Sequence, residues 1–237
     1  MKKIVCSLLV VVFICMFSGT AYAMDLGKLE KVEDQLLPDG KDGIISQKIT
    51  AITNDKGEVA FPLYKKSEIV KVEAAKGSIA QEPQEVEYGD KKYNLIVFNE
   101  KNSEVFFEVT MRQEGVYEGE EADLGDTFPS GALEIKYKMV NTSPNDIKSY
   151  SARIAVPEGK ELLNIVDYDA EEAFSISKQD GYVFGGFDFE SVTSGEEAKL
   201  AINVFSPMKV HIIIVWVGAV VISIAFMFKN RNLLKKA

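Results

Sequence analysis

The sequence predicts an all-β protein, built as one large or two small antiparallel β-sandwiches and followed by one C-terminal transmembrane helix. Three observations predict it. Apolar and polar residues alternate over several segments, turn chemistry separates those segments at short intervals, and one uninterrupted apolar run is held back to the end of the chain.

The alternation is plainest in ALEIKYKM, where Leu133, Ile135, Tyr137 and Met139 share one face while Glu134, Lys136 and Lys138 share the other. The same period places Val105, Phe107, Val109 and Met111 together in EVFFEVTM. It groups Tyr150, Ala152, Ile154 and Val156 in YSARIAV, and Ala198, Leu200, Ile202 and Val204 in AKLAINV. A strand with one dry and one wet face belongs to an antiparallel sheet covered on one side. Turn residues intervene at Asn54-Asp55-Lys56-Gly57, Gly89-Asp90, Asn99 to Asn102, Pro157-Glu158-Gly159, Lys178 to Gly181 and Ser194-Gly195. On this basis about ten strands are expected, arranged as an immunoglobulin-like sandwich or a pair of them. Ahead of them, Leu26, Leu29, Val32 and Leu36 recur at three- and four-residue spacing, which predicts a short amphipathic helix over 26–37.

The closing run, Val210 to Phe228, has 19 residues without a formal charge. A helix of that length, at about 1.5 Å per residue, nearly matches a hydrocarbon core of about 30 Å. His211 stands at the outer boundary, where an imidazole reaches the headgroups. At the other end, Lys2 and Lys3, an apolar stretch from Ile4 to Phe17, and Ala21-Tyr22-Ala23 read as a secretory signal over residues 1–23. Cys6 and Cys15 lie inside that signal, so the mature chain is expected to contain no cysteine and hence no disulfide, thiol nucleophile or iron–sulfur cluster. The tail, residues 229–237, carries Lys229, Arg231, Lys235 and Lys236 and no acid. The positive-inside bias therefore leaves it in the cytoplasm and the large preceding region outside, in a single-pass protein of the bacterial cytoplasmic membrane whose outer part is periplasmic or extracellular. Residues 24–207 hold 20 basic and 36 acidic side chains, a net charge of −16, which speaks against binding nucleic acid or anionic headgroups.

The longest stretch without either period is RQEGVYEGEEADLGDTFPSG. It divides the outer region into an N-terminal β domain, 24–112, an acidic linker, 113–129, and a C-terminal sandwich, 130–207; strand pairing across the linker would instead make one larger sandwich. Within the first part, KITAITNDKGEVAFPLY, residues 48–64, has a strand ending in a polar turn of Thr53, Asp55 and Gly57, followed by Val59, Phe61 and Leu63. It resembles the hairpin of carboxypeptidase-regulatory-like and transthyretin-like sandwiches. The resemblance implies a non-catalytic seven-stranded sandwich used as an accessory or adhesion module, and it carries no functional residue over.

The sole histidine lies in the apolar run, so histidine-dependent catalysis and histidine-bound zinc are excluded from the outer region. Carboxylate-only hydrolysis stays open in principle. Two acidic clusters offer the oxygens that calcium takes: Glu118, Glu120, Glu121, Asp123 and Asp126 in the long stretch, and Asp167, Asp169, Glu171 and Glu172 in DYDAEE. Neither has a recognised ligand spacing, and a solvated acidic face is the default explanation. In GYVFGGFDFE, Tyr182, Phe184, Phe187 and Phe189 around Gly185-Gly186 predict a core hairpin turning at the glycines. Asn141-Thr142-Ser143 fits a glycosylation sequon, although Pro144 follows it. The expected function is that of a non-enzymatic binding or accessory subunit for a membrane-proximal protein partner. An independent module for calcium, a glycan or a solute is the alternative, and a carboxylate hydrolase the third.

Overall fold

The computed structural model describes residues 26–88, 91–122, 131–166, 173–207 and 210–229. The first half of the chain supplies β1 (Lys28–Asp39), β2 (Asp42–Ile52), β3 (Glu58–Phe61), β4 (Ser67–Lys76), β5 (Ile79–Tyr88), β6 (Lys91–Phe98), β7 (Glu104–Gln113) and β8 (Glu120–Glu121). The second half supplies β9 (Leu133–Val140), β10 (Tyr150–Ala155), β11 (Glu161–Val166), β12 (Ala173–Gln179), β13 (Tyr182–Phe189), β14 (Glu197–Phe205) and a single helix, α1 (Val210–Lys229). Fourteen strands thus stand among the described residues, more than the alternation alone marked out.

Each inward row read from the period-two pattern is buried, apart from Leu133 at the start of β9, which is half-buried. Val105, Phe107, Val109 and Met111 are all fully enclosed, as are Ile135, Tyr137 and Met139, and Leu200, Ile202 and Val204. The strands make a seven-stranded sheet in the order β12-β13-β10-β1-β2-β7-β4, a four-stranded sheet β11-β14-β9-β8 and a three-stranded sheet β3-β6-β5. One hydrophobic cluster runs through all three, and ring contacts of Phe107 with Phe61, edge-on at 5.7 Å, and with Phe98, tilted at 5.3 Å, tie the three-stranded sheet to the seven-stranded one. A side chain such as Phe107, removed wholly from water, contributes about 1.5–3 kcal/mol.

Four expectations need correction. The segment 26–37 is not a helix. It enters β1, where a bulge between Leu29 and Lys31 inserts one residue and turns a two-residue period into the three-residue step from Leu29 to Val32. That step imitates a helical stripe in sequence, and pairing with β2 on one side and β10 on the other overrides it. Pairing is also not antiparallel throughout. β1 and β10 run parallel, with Val32 opposite Tyr150 and Leu36 opposite Ile154. A parallel neighbour needs a long crossover, and here everything from β2 to β9 provides it. As a result the strand pairing crosses residues 113–129.

The other two corrections concern local turns. β2 and β3, which flank Thr53 to Gly57, do not pair with each other: β2 lies between β1 and β7, while β3 pairs with β6. The connection is an arch between sheets, stapled by Asn54, whose Oδ1 accepts from the N–H groups of Lys56 at 2.9 Å and Glu58 at 2.8 Å. In GYVFGGFDFE, the hairpin turns at Asp180-Gly181, and Gly185-Gly186 lie inside β13. A Cβ on Gly186 would collide with the Ala152 carbonyl and with the Arg153 side chain, which lies across it. The pair is there for close approach, not for turning.

Candidate functional site

The end of the fold from which α1 departs follows from register. β14 finishes at Phe205 opposite Glu161, and Val204 stands opposite Leu133. Residues Val156 to Lys160 connect β11 back to β10, and the Val156 N–H donates to the Val183 carbonyl at 2.8 Å. Hence the starts of β9, β11 and β13 and the ends of β1, β7 and β10 gather at one end, with the Ser194-Gly195 turn at the other. Only residues 206–209 separate Phe205 from Val210. Five Cα steps reach about 18 Å at most, so this end stands close to the start of the helix.

α1 itself is apolar all round. Residues Ile212–Lys229 have a mean hydropathy of 2.5 and none of that stretch is buried in the β structure. Val215, Trp216, Ile222, Phe226 and Phe228 are each more than half exposed. A continuous apolar surface of this kind is not left to water by a folded chain, and its length suits a membrane crossing. The helix associates the protein with a membrane.

Several charged groups near the proximal end are paired with one another. Arg112 donates to Asp42 at 2.8 Å and lies 3.4 Å from Asp39. The Gly115 N–H and then Arg112 hold the Asp42 carboxyl below the ordinary aspartate range. Of the acidic residues named as calcium candidates, Glu120 pairs with Lys136 at 2.6 Å, and that lysine holds its carboxyl low; Glu118 lies 3.5 Å from Lys41; Glu121 is exposed on β8. Asp123, Asp126, Asp167, Asp169, Glu171 and Glu172 lie outside the described residues. Among the described residues no three His, Cys, Asp or Glu side chains are grouped to hold a metal ion. Asn141 of the sequon is fully buried, and its amide donates to the carbonyls of Asn145 at 2.8 Å and Val192 at 3.0 Å, so in the folded chain it serves structure.

No family model matches the chain, and no curated protein matches it. Solved structures with a partial likeness include a mutant two-domain M1 zinc metallopeptidase bound to L-tryptophan, at TM-score 0.44 and 9% identity, and the M1 zinc metallopeptidase from Deinococcus radiodurans, at TM-score 0.42 and 9% identity. Each alignment covers 74% of this chain and 42% of the other, so the chain spans well under half the length of those proteins.

A second feature lies deeper and was not singled out in the sequence. Asp34, on β1, is 2% exposed. Three phenols converge on its Oδ2: Tyr137 of β9 at 2.8 Å, Tyr150 of β10 at 2.7 Å, and Tyr64, from the connection between β3 and β4, in a short hydrogen bond. Gln47 Nε2, on β2, donates to Asp34 Oδ1 at 3.0 Å and to the Tyr64 hydroxyl at 2.7 Å. Burial pushes the Asp34 carboxyl above the ordinary aspartate range, against the opposing pull of the hydrogen bonds from Tyr64, Tyr150, Tyr137 and Gln47. Burial first, and then the charge of Asp34, pushes all three phenols upward as well. The cluster is closed to substrate, and chemically it can hold or release one proton. The signal in sequence was available only with the strand register in hand: Asp34 interrupts the inward row Val32, Asp34, Leu36, and Gln47 interrupts Ile45, Gln47, Ile49. Read as a helix, the first segment places Asp34 off the apolar stripe and hides it.

Proposed function

We propose that this protein is a single-pass, membrane-anchored β-sandwich exposed outside the cytoplasm, which serves as a non-catalytic binding or accessory subunit for another component of the same membrane. The observation that carries the reading is the short join. With four residues between β14 and α1, the outer part is held beside the bilayer and reaches partners there better than distant ones. The signal-like residues 1–23 and the basic tail after Phe228 support the orientation. The paired charges of the proximal rim and the lack of histidine outside the helix support a surface that binds over one that turns over substrate.

The test is photo-cross-linking in intact cells from two positions of the full chain, Lys160 at the proximal end and Ser194 at the distal end, followed by mild detergent extraction and mass spectrometry. One reproducible membrane protein linked from Lys160 and absent from Ser194 is expected. Self-links alone, under conditions that capture known complexes, would remove the subunit reading.

A further inference from the structure

The Asp34 cluster has a geometry that suits a changing proton count better than a fixed one. Its Oδ2 faces three hydroxyl groups, which is one more than its lone pairs accommodate comfortably, while Oδ1 holds the Gln47 amide alone. Gln47 Oε1 is buried without a hydrogen-bond partner. Among the described residues no lysine or arginine offsets the carboxylate. The titratable groups that face it are Tyr64, Tyr137 and Tyr150; β2 presents Gln47 between Ile45 and Ile49, and the charged side chains beside it along the strands, Glu33, Lys48 and Arg153, lie on the other face of the seven-stranded sheet. A buried carboxylate bonded only by neutral donors recovers part of the cost of leaving water, and neutralising it relieves the rest.

Hydroxyl hydrogens rotate to suit their surroundings. The hydroxyls of Tyr64, Tyr137 and Tyr150 all meet at Asp34 Oδ2, which sets them beside one another. When the carboxyl is charged, all three phenols can aim at it. When it carries a proton, that O–H donates to one phenol oxygen, and that phenol passes its own O–H to the next. Neither arrangement requires a ring to move.

We propose that this cluster is a proton-operated joint between the two larger sheets: Asp34 takes one proton from solvent in the folded protein, the phenol hydroxyls re-aim to bond either state, and loss of that proton loosens the joint by leaving between the sheets a charge that neutral donors offset only in part. The joint is placed for such a role, because Tyr137 stands on the four-stranded sheet, which leads through β14 to the membrane helix, and Asp34 stands at the centre of the larger sheet. The sign follows from the raised carboxyl. The contribution to stability is complete below the ordinary aspartate value and is lost as pH rises through the folded value, opposite to an aspartate paired with a cation.

The experiment uses the full chain in detergent. Infrared difference spectra across a pH titration should show a protonated-carboxyl band that persists above the range of ordinary aspartates, bleaches on ionisation, and is absent from Asp34→Asn. The wild-type melting temperature should fall relative to Asp34→Asn over the same interval, and ring-carbon signals of 13C-labelled tyrosine should move with the same midpoint. If Asp34→Asn does not fold, Tyr150→Phe replaces it: with one donor to the charged form removed, the bleach should move to higher pH. Absence of any such band while the protein is folded, a band that survives unchanged in Asp34→Asn, or a midpoint unmoved in Tyr150→Phe would overturn the proposal.

Discussion

Asp34 and Asp42 lie eight positions apart, on β1 and β2 of the same sheet, and meet opposite fates. Asp34 points between the sheets and is bonded by three phenols and an amide; Asp42 stands at the proximal rim, bonded by a backbone N–H and a guanidinium. The first carboxyl is pushed up and the second held down. Hydrogen-bond count does not decide between them, since the buried group has more. What decides is whether water or a cation compensates the charge. A neutral donor lowers the cost of a buried carboxylate, but it does not replace the solvent that burial removed.

The largest expected effect comes from breaking the buried member. Asp34→Ala strands three phenol hydroxyls in the core and should lower stability by about 3 kcal/mol, read as a shift of the urea midpoint at constant slope. Tyr137→Phe removes one donor while keeping the ring and should cost about 1–2 kcal/mol above the folded value of the Asp34 carboxyl, and less below it, where the carboxyl is neutral. Equal losses on both sides of that value would mean that the charge is not what the phenol serves. Asp42→Asn sharpens the other side. Its carboxyl is lowered in the fold, so its contribution is present above about pH 4 and fades as pH falls through the folded value; the variant should melt somewhat lower than wild type at neutral pH and converge on it in acid, giving a shallower acid limb in a melting-temperature profile. The smallest effect is expected from Arg112→Ala, whose exposed ion pairs with Asp39 and Asp42 are screened: its melting temperature should approach that of wild type as salt is raised.

The strand rows were legible because a half-buried strand must alternate. Val105 to Met111 and Leu200 to Val204 needed no knowledge of their neighbours. β1 failed that test, since one bulge at Leu29 and Lys31 shifts its period and a charged residue occupies its inward row. The arch at Thr53 to Gly57 failed for another reason. A turn signal states that the chain changes direction, and Asn54 satisfies the same backbone groups whether the next strand returns beside β2 or leaves for β6. Likewise Gly185-Gly186 carry a turn-like composition, and only the Ala152 carbonyl and Arg153 lying across the strand reveal why side chains are excluded there.

By itself the sequence determined the β class and the apolar C-terminal helix, because period, length and hydropathy are local properties that each segment carries alone. Only the tertiary structure decided that β1 lies parallel to β10, that residues from Tyr64 to Tyr150 meet around one carboxylate, and that Glu118 and Glu120 are occupied by lysines. Those are long-range matters. Hydrogen bonding and burial act on whichever groups the sheets bring within a few ångströms, and residues more than a hundred positions apart, such as Asp34 and Tyr150, become neighbours only when the sheets have formed.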